Sequence, residues 1–200
     1  MVSDAYKFSI PAAALAIVFF VLGLPCWGLL FCILTLFICF FFRNPHREIP
    51  QGENLIVSPA DGKVVKIAQA PEGPRTISIF LNIFNVHVTR SPIAGKLESL
   101  EYKRGKFKVA FDEEASRVNE QNIVTIAGQS IRVEVRQIAG LIARRVICWT
   151  KPNQSLERGE LFGLIRFGSR VDITVPAEVK IVTKVGDHVK GGSSILGEHS

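Results

Sequence analysis

From Phe8 to Phe42 the chain has no charged side chain, an apolar run of about 35 residues, and such a run belongs in a bilayer or a deeply buried core. As one straight α-helix it would extend roughly 50 Å, well beyond a hydrocarbon core of about 30 Å. Gly23-Leu24-Pro25 interrupts it near the middle. The pattern predicts two helices, over 10–23 and 26–42, forming a short hairpin that enters and leaves on one side. Each half is slightly short for a full span, so a re-entrant or tilted single-span arrangement stays open. The run is too long for a cleaved signal peptide, lacks a basic leading region and ends at Arg43 rather than at small residues. Residues 1–42 are therefore expected to anchor the chain in the cell membrane. Arg43 and Arg47 directly after the run predict that the globular part lies on the cytoplasmic side. Cys26, Cys32 and Cys39 fall inside the run and Cys148 in a strand-like stretch. They read as small buried hydrophobes, with no zinc spacing and no disulfide expected.

Nearly all the charge follows Arg43, and the formal net charge is +6. With a membrane segment attached, an anionic lipid surface is the nearest partner for that charge. Nucleic acid is not expected, because the basic residues are scattered among strand-like runs without an aromatic-basic motif. Short runs rich in Val, Ile and Phe recur over 54–58, 63–69, 76–81, 85–89, 123–127, 131–138, 141–149, 171–175 and 179–185. Turn signals separate them, among them Pro59-Ala-Asp-Gly62 and Gly186-Asp187. A short helix or ordered loop is expected over 111–119. The expected fold class is mainly β (α+β), a domain of many short strands behind the helical segment. Ser58 to Val64 and Val185 to Leu196 resemble the two halves of a barrel-sandwich of the biotinyl and lipoyl type, which implies that the late turn packs near the early one. A carrier role is not expected, since no lysine stands between methionines and the only methionine is Met1.

The chemistry centres on Gly191-Gly-Ser-Ser194. In a tight turn the Ser193 hydroxyl can reach the carbonyl carbon of Gly192 and convert that amide to an ester. Loss of the serine α-proton then eliminates the ester, and the resulting dehydroalanine hydrolyses to a pyruvoyl group. Glycine before the serine admits backbone angles closed to other residues. His87, in Phe84-Asn-Val-His-Val-Thr-Arg90, has the reference pKa of about 6.5 that suits a proton donor or acceptor. Asp61 stands in an ordinary Asp-Gly turn. Arg166, Arg170 and Arg144-Arg145 are surface charges or phosphate ligands. No residue set has the spacing of a metal site.

Six ordered segments carry a resemblance: Phe41 to Pro50, Ser58 to Gly62, Phe84 to Gly95, Gln137 to Arg145, Arg158 to Asp172 and Gly191 to Ser194. Together they resemble the phosphatidylserine decarboxylases, in their short membrane-anchored prokaryotic form. The resemblance implies a proenzyme domain over 43–200 that cuts itself between Gly192 and Ser193. Residues 1–192 would form the β chain and 193–200 the α chain of a heterodimer, with further self-association left open. It implies a metal-free pyruvoyl cofactor made from Ser193, which converts phosphatidylserine to phosphatidylethanolamine and carbon dioxide through a Schiff base. It implies His87 as the catalytic acid and Asp61 as the acidic member orienting a processing base. Larger relatives resemble His-x-x-His-x-Pro here, whereas this chain has His87-Val-Thr-Arg90-Ser-Pro92. Either His87 serves both steps or another group takes the processing proton. Arg166 and Arg170 are the candidates for the substrate phosphate. Two other readings remain: an anchored adaptor without chemistry, and the same chemistry on an ether serine lipid.

Overall fold

The computed structural model describes residues 1–69, 73–105, 118–140, 145–166 and 169–199. The chain divides into two compact units, Met1–His46 and Arg47–Ser200.

In the first unit, α1 (Tyr6–Val21) and α2 (Pro25–Phe41) are joined at Gly23, whose φ of 72° takes the left-handed turn the sequence break requires. The helices pack antiparallel. At one end Val2 N donates to Phe42 O, and the Phe8 and Phe42 rings stack with centroids 5.8 Å apart. At the other, Phe19 stacks on Phe31 at 5.3 Å. Gly28 lets them close, since a Cβ there would come within 2.8 Å of the Phe20 ring. The outer faces stay apolar: Ile17, Val21 and Leu36 are each more than three-fifths exposed. Ser3–Val21 is long and apolar enough to cross a membrane, and Pro25–Phe41 is shorter. The Arg43 guanidinium caps this unit over the Phe40 ring, 3.8 Å from its centroid.

The second unit is mainly β, as expected. Among its described residues the strands are β1 (Leu55–Val57), β2 (Gly62–Gln69), β3 (Arg75–Leu81), β4 (Val88–Arg90), β5 (Gly95–Lys103), β6 (Gln121–Ala127), β7 (Arg132–Ala139), β8 (Val146–Cys148), β9 (Ser155–Leu156), β10 (Leu161–Ile165), β11 (Ser169–Val175), β12 (Lys180–Ile181), β13 (His188–Val189) and β14 (Ile195–Glu198). The large sheet runs β13-β2-β3-β11-β7-β6-β5-β9, and two small sheets run β1-β14-β12 and β4-β10-β8.

The register of the large sheet explains its core. Ile67, Ile77, Ile173, Val135, Val124 and Leu100 stand opposite one another across β2, β3, β11, β7, β6 and β5. Residues directly opposite share a face, so this is one continuous apolar row. Its four inner members are fully buried. β11 is almost wholly buried along its length although its sequence alternates, with Val171, Ile173 and Val175 on one face and Arg170, Asp172 and Thr174 on the other.

Three expected runs differ. The stretch 85–89 is a strand only from Val88, because Asn82 and Asn85 fold the preceding residues into a loop. Asn82 N donates to Asn85 Oδ1, and Phe84 N donates to Asn82 Oδ1, each at 2.9 Å. In 179–185 only Lys180–Ile181 pairs. There the Asp187 carboxylate accepts from Lys184 N at 2.8 Å and Thr183 Oγ1 at 3.0 Å, turning the chain back. Those bonds, the Lys184 amide first, hold Asp187 below the usual carboxylate range. In 141–149 the strand is Val146–Cys148, and 141–144 lies outside the described residues, as does most of the helix expected over 111–119. Cys148 donates to Thr150 O, and burial pushes its thiol up from the ordinary value.

Ile173 sits at the middle of the apolar row, so Ile173→Ala is expected to cost about 2–5 kcal/mol. Urea unfolding of the detergent-solubilised chain would measure it.

Candidate active site

The turn 190–194 is closed on itself. Ser193 N and Ser194 N both donate to Lys190 O, at 3.1 and 3.0 Å, and Lys190 N donates to Ser194 Oγ at 2.9 Å. Gly192 is buried at φ 81°, a conformation that strains any side chain-bearing residue. Space is tight too: a Cβ would lie 3.0 Å from Arg90 Cδ and 3.2 Å from Ile49 Cδ1. Ser193, next in the turn, is half-buried.

The loop 58–62 grips this turn from one side. Gly192 N donates to Ser58 O and Ser58 N donates to Ser194 O, both at 2.8 Å. Asp61 Oδ1 accepts from Gly191 N at 2.8 Å. These bonds join residues far apart in the chain, so the early and late segments meet as the barrel-sandwich resemblance implied. The Asp61 carboxylate also accepts from Arg47 Nη2, at 2.9 and 2.7 Å, and both side chains of that ion pair are mostly buried. Sequence alone read Arg47 only as a flanking charge of the apolar run.

Arg90 approaches from the other side. Its backbone N donates to Pro59 O at 2.9 Å and its Nη1 to Gly159 O at 2.7 Å, which stretches the stem past Gly192. Burial, and then the nearby Arg47, lower the Arg90 pKa from its ordinary value, and Asp61 pulls it back up.

His87 lies three residues before Arg90, fully buried. Its Nδ1 is 2.9 Å from Asn85 O. A carbonyl oxygen only accepts, so Nδ1 carries a proton. His87 O accepts from Ile165 N, and in the next row Arg166 N donates to Arg145 O. Two arginines therefore stand side by side at the His87 end of the β4-β10-β8 sheet. Arg170 sits elsewhere: on β11, nearly buried, it binds Asp172 through two parallel bonds of 2.7 and 2.8 Å, so its charge is already neutralised.

Behind β4 the core turns polar. Val64, Ile79 and Val171 continue across the sheet into Gln137 and Asn122. Asn122 Nδ2 donates to Gln137 Oε1 at 3.0 Å, and Gln137 Nε2 donates to Thr89 Oγ1 at 2.7 Å. This chain of bonds fixes β4, and with it both His87 and Arg90. Sequence reading did not single out Thr89, Asn122 or Gln137; the signal available was two amides at core positions of strands. Among the described residues no cluster of His, Cys, Asp and Glu is arranged to hold a metal. The arrangement is a glycine-serine peptide bond in a turn, with a carboxylate and a guanidinium against it.

The phosphatidylserine decarboxylase family matches residues 34–197. Among curated relatives, a phosphatidylserine decarboxylase proenzyme of Solibacter usitatus is 49% identical over 185 residues, covering 92% of this chain and 89% of that protein. One of Syntrophus aciditrophicus is 47% identical over 170 residues, covering 82% and 80%. One of Geotalea uraniireducens is 41% identical over 201 residues, covering 98% and 94%.

Gly163 makes the polar chain possible, since a Cβ there would lie 2.6 Å from Gln137 Nε2 and 2.3 Å from Ile147 O. Gly163→Ala is expected to cost about 1–3 kcal/mol by overpacking. Thr89→Val should cost a similar amount, about 1–3 kcal/mol, by leaving the Gln137 amide short of an acceptor. Both are measurable by urea unfolding.

Proposed function

The chain belongs to the phosphatidylserine decarboxylase family, and from that membership we propose a self-cleaving, pyruvoyl-dependent carboxy-lyase. It converts phosphatidylserine to phosphatidylethanolamine and carbon dioxide at the cytoplasmic face of the cell membrane, as a step of phospholipid synthesis. The observation that carries the reading is the Gly192–Ser193 turn, left-handed at Gly192 and clamped by Asp61 and Ser58.

In self-cleavage, Ser193 Oγ adds to the Gly192 carbonyl carbon while its proton passes to Asp61. Arg47 and the Gly191 amide hold that carboxylate in place. Collapse breaks the Gly192 C–N bond, the proton moves to the Ser193 nitrogen, and an ester remains. Removal of the Ser193 α-proton then breaks the Cβ–Oγ bond, which frees Gly192 as a carboxylate and leaves dehydroalanine. Its imine tautomer takes up one water and releases ammonia. The chain is then two: one ending at Gly192 and one beginning with the pyruvoyl group. The turn suits that group, because Ser193 is partly open while Gly192 is buried and bound through its amide.

The pyruvoyl carbonyl, once bonded to the substrate amine, supplies the electron sink for loss of carbon dioxide. The remaining work falls to residues of the chain. His87, oriented through Nδ1 by Asn85 O, delivers from Nε2 the proton that replaces the carboxylate. Arg166, beside Arg145 in the row next to His87, binds the substrate phosphate. Arg170 is left out of this assignment because Asp172 occupies it. The apolar helices hold the enzyme where its lipid substrate lies, and Arg43 at their end favours the cytoplasmic side for the catalytic unit. The whole remains metal-free.

Mass spectrometry of the purified chain is expected to show two fragments divided at Gly192. Ser193→Ala and Asp61→Asn should stay as one chain of 22.1 kDa without activity. His87→Ala should still cleave but lose about 10²- to 10⁴-fold in decarboxylation rate. An uncleaved wild-type chain, or a Ser193→Ala variant that releases carbon dioxide, would overturn the proposal.

A further inference from the structure

The loop 82–85, which leads into His87 and β4, presents its apolar residues to the outside. Phe84 is 64% exposed, more than any other large hydrophobic residue among the described residues of the catalytic unit, and Ile83 beside it is 37% exposed. The loop is closed by its own asparagines. Asn85 N donates to Asn82 O at 3.0 Å, Asn82 N to Asn85 Oδ1 and Phe84 N to Asn82 Oδ1. Its backbone is thus satisfied within the turn, which fixes the tip and leaves the two apolar side chains to make contacts of another kind. The same end of the small sheet carries two cations. β4 pairs with β10 and β10 with β8, Ile165 N donates to His87 O, and one residue further Arg166 N donates to Arg145 O. Arg145 is exposed. The three segments that meet here, 80–90, 145–149 and 161–166, contain no acidic residue.

Adjacent exposed apolar side chains with arginines at the same end of a sheet match the interface of a bilayer, where rings and branched chains enter the acyl region and cations meet anionic headgroups. We propose that Ile83 and Phe84 form a membrane contact of the catalytic unit, entering an anionic bilayer while Arg145 and Arg166 meet its headgroups. The other exposed pair of the unit, Val182 and Val185, does not fit this partner, because the exposed Asp187 carboxylate closes the same turn. The contact would give the site a direction, a deduction that rests on the proposed function. Along β4 the order runs from Arg90, whose stem lies against Gly192, through His87 to the loop. A lipid whose amine is at the Ser193 turn and whose phosphate is at Arg166 would then have its acyl chains at Phe84, still in the membrane. Asn85 joins the two roles, since its side chain closes the loop and its carbonyl orients His87.

Photocrosslinking reads the contact without relying on activity. The full chain is reconstituted in vesicles of phosphatidylcholine and phosphatidylglycerol, with benzoylphenylalanine replacing Phe84 or, in a second variant, Ile83. After irradiation, adducts are identified by mass. Two further positions calibrate the yield: Leu36, 68% exposed on α2, and Tyr102, 51% exposed on β5. Lipid adducts are expected at 84 and 83, with a yield at 84 about tenfold above that at 102, the ratio that burial of one ring supports. In the chain labelled at 84, Arg145→Gln should lower the yield about fivefold. Lipid adducts at 36 but at neither 83 nor 84 would overturn the proposal. So would equal yields at 84 and 102, or an adduct at 84 to a second copy of the chain, which would make the loop a self-association surface. A yield unchanged by Arg145→Gln would overturn the electrostatic half of the contact. Lipid adducts at neither 36 nor 84 would instead remove the membrane reading of the whole chain, and this inference with it.

Discussion

The catalytic unit depends on a carboxylate that cannot be left alone. Asp61 is mostly buried, and a buried anion must be paired and hydrogen-bonded or it unfolds its surroundings. Its two partners come from opposite ends of the unit: the Arg47 guanidinium, from the segment before the first strand, and the Gly191 amide, from the last turn. Satisfying one ion therefore draws three segments to one point. The bonds between Ser58 and the 192–194 backbone complete the junction. These neighbours hold Gly192 in its left-handed turn.

The site and the core share a sheet. The row that begins as Val64, Ile79 and Val171 ends as Gln137 and Asn122, and the change from apolar to amide occurs where β4 crosses behind. Thr89 receives the last bond of that series. His87 and Arg90 lie on either side of Thr89, so the core fixes both through one hydroxyl. Gly163 keeps the space open for it.

Much of this was legible in the sequence, and the exceptions have physical causes. The two apolar helices, the mainly β character and the turn 191–194 followed from composition, period and glycine placement. The strand Gly95–Lys103 was missed because most of its residues are exposed, Lys96, Glu98, Glu101 and Lys103 among them, which hides the period of two. The pairing of Arg47 with Asp61 was out of reach, since tertiary contact and not spacing creates it. Arg170 was different. Arg-x-Asp in a strand puts both side chains on one face, so the pair with Asp172 was there to be read, and a search for phosphate ligands passed over it. His87 and Asp61 were selected by motif resemblance; their partners, Asn85 O and the Gly191 amide, are backbone groups, which no side-chain motif reveals.

β14 is the middle strand of its sheet, bonded to β1 on one edge and β12 on the other, with Leu196 buried beneath it. The segment Ile195–Glu198 is therefore built into the fold by pairing on two edges, with a further bond from His199 N to Asn54 O. An enzyme whose reactive group begins that segment would keep it through strand pairing alone. Its working lifetime would then be an unbinding time, set by how rarely both edges open together, and a mutation in β1 or β12 could shorten it without touching the chemistry.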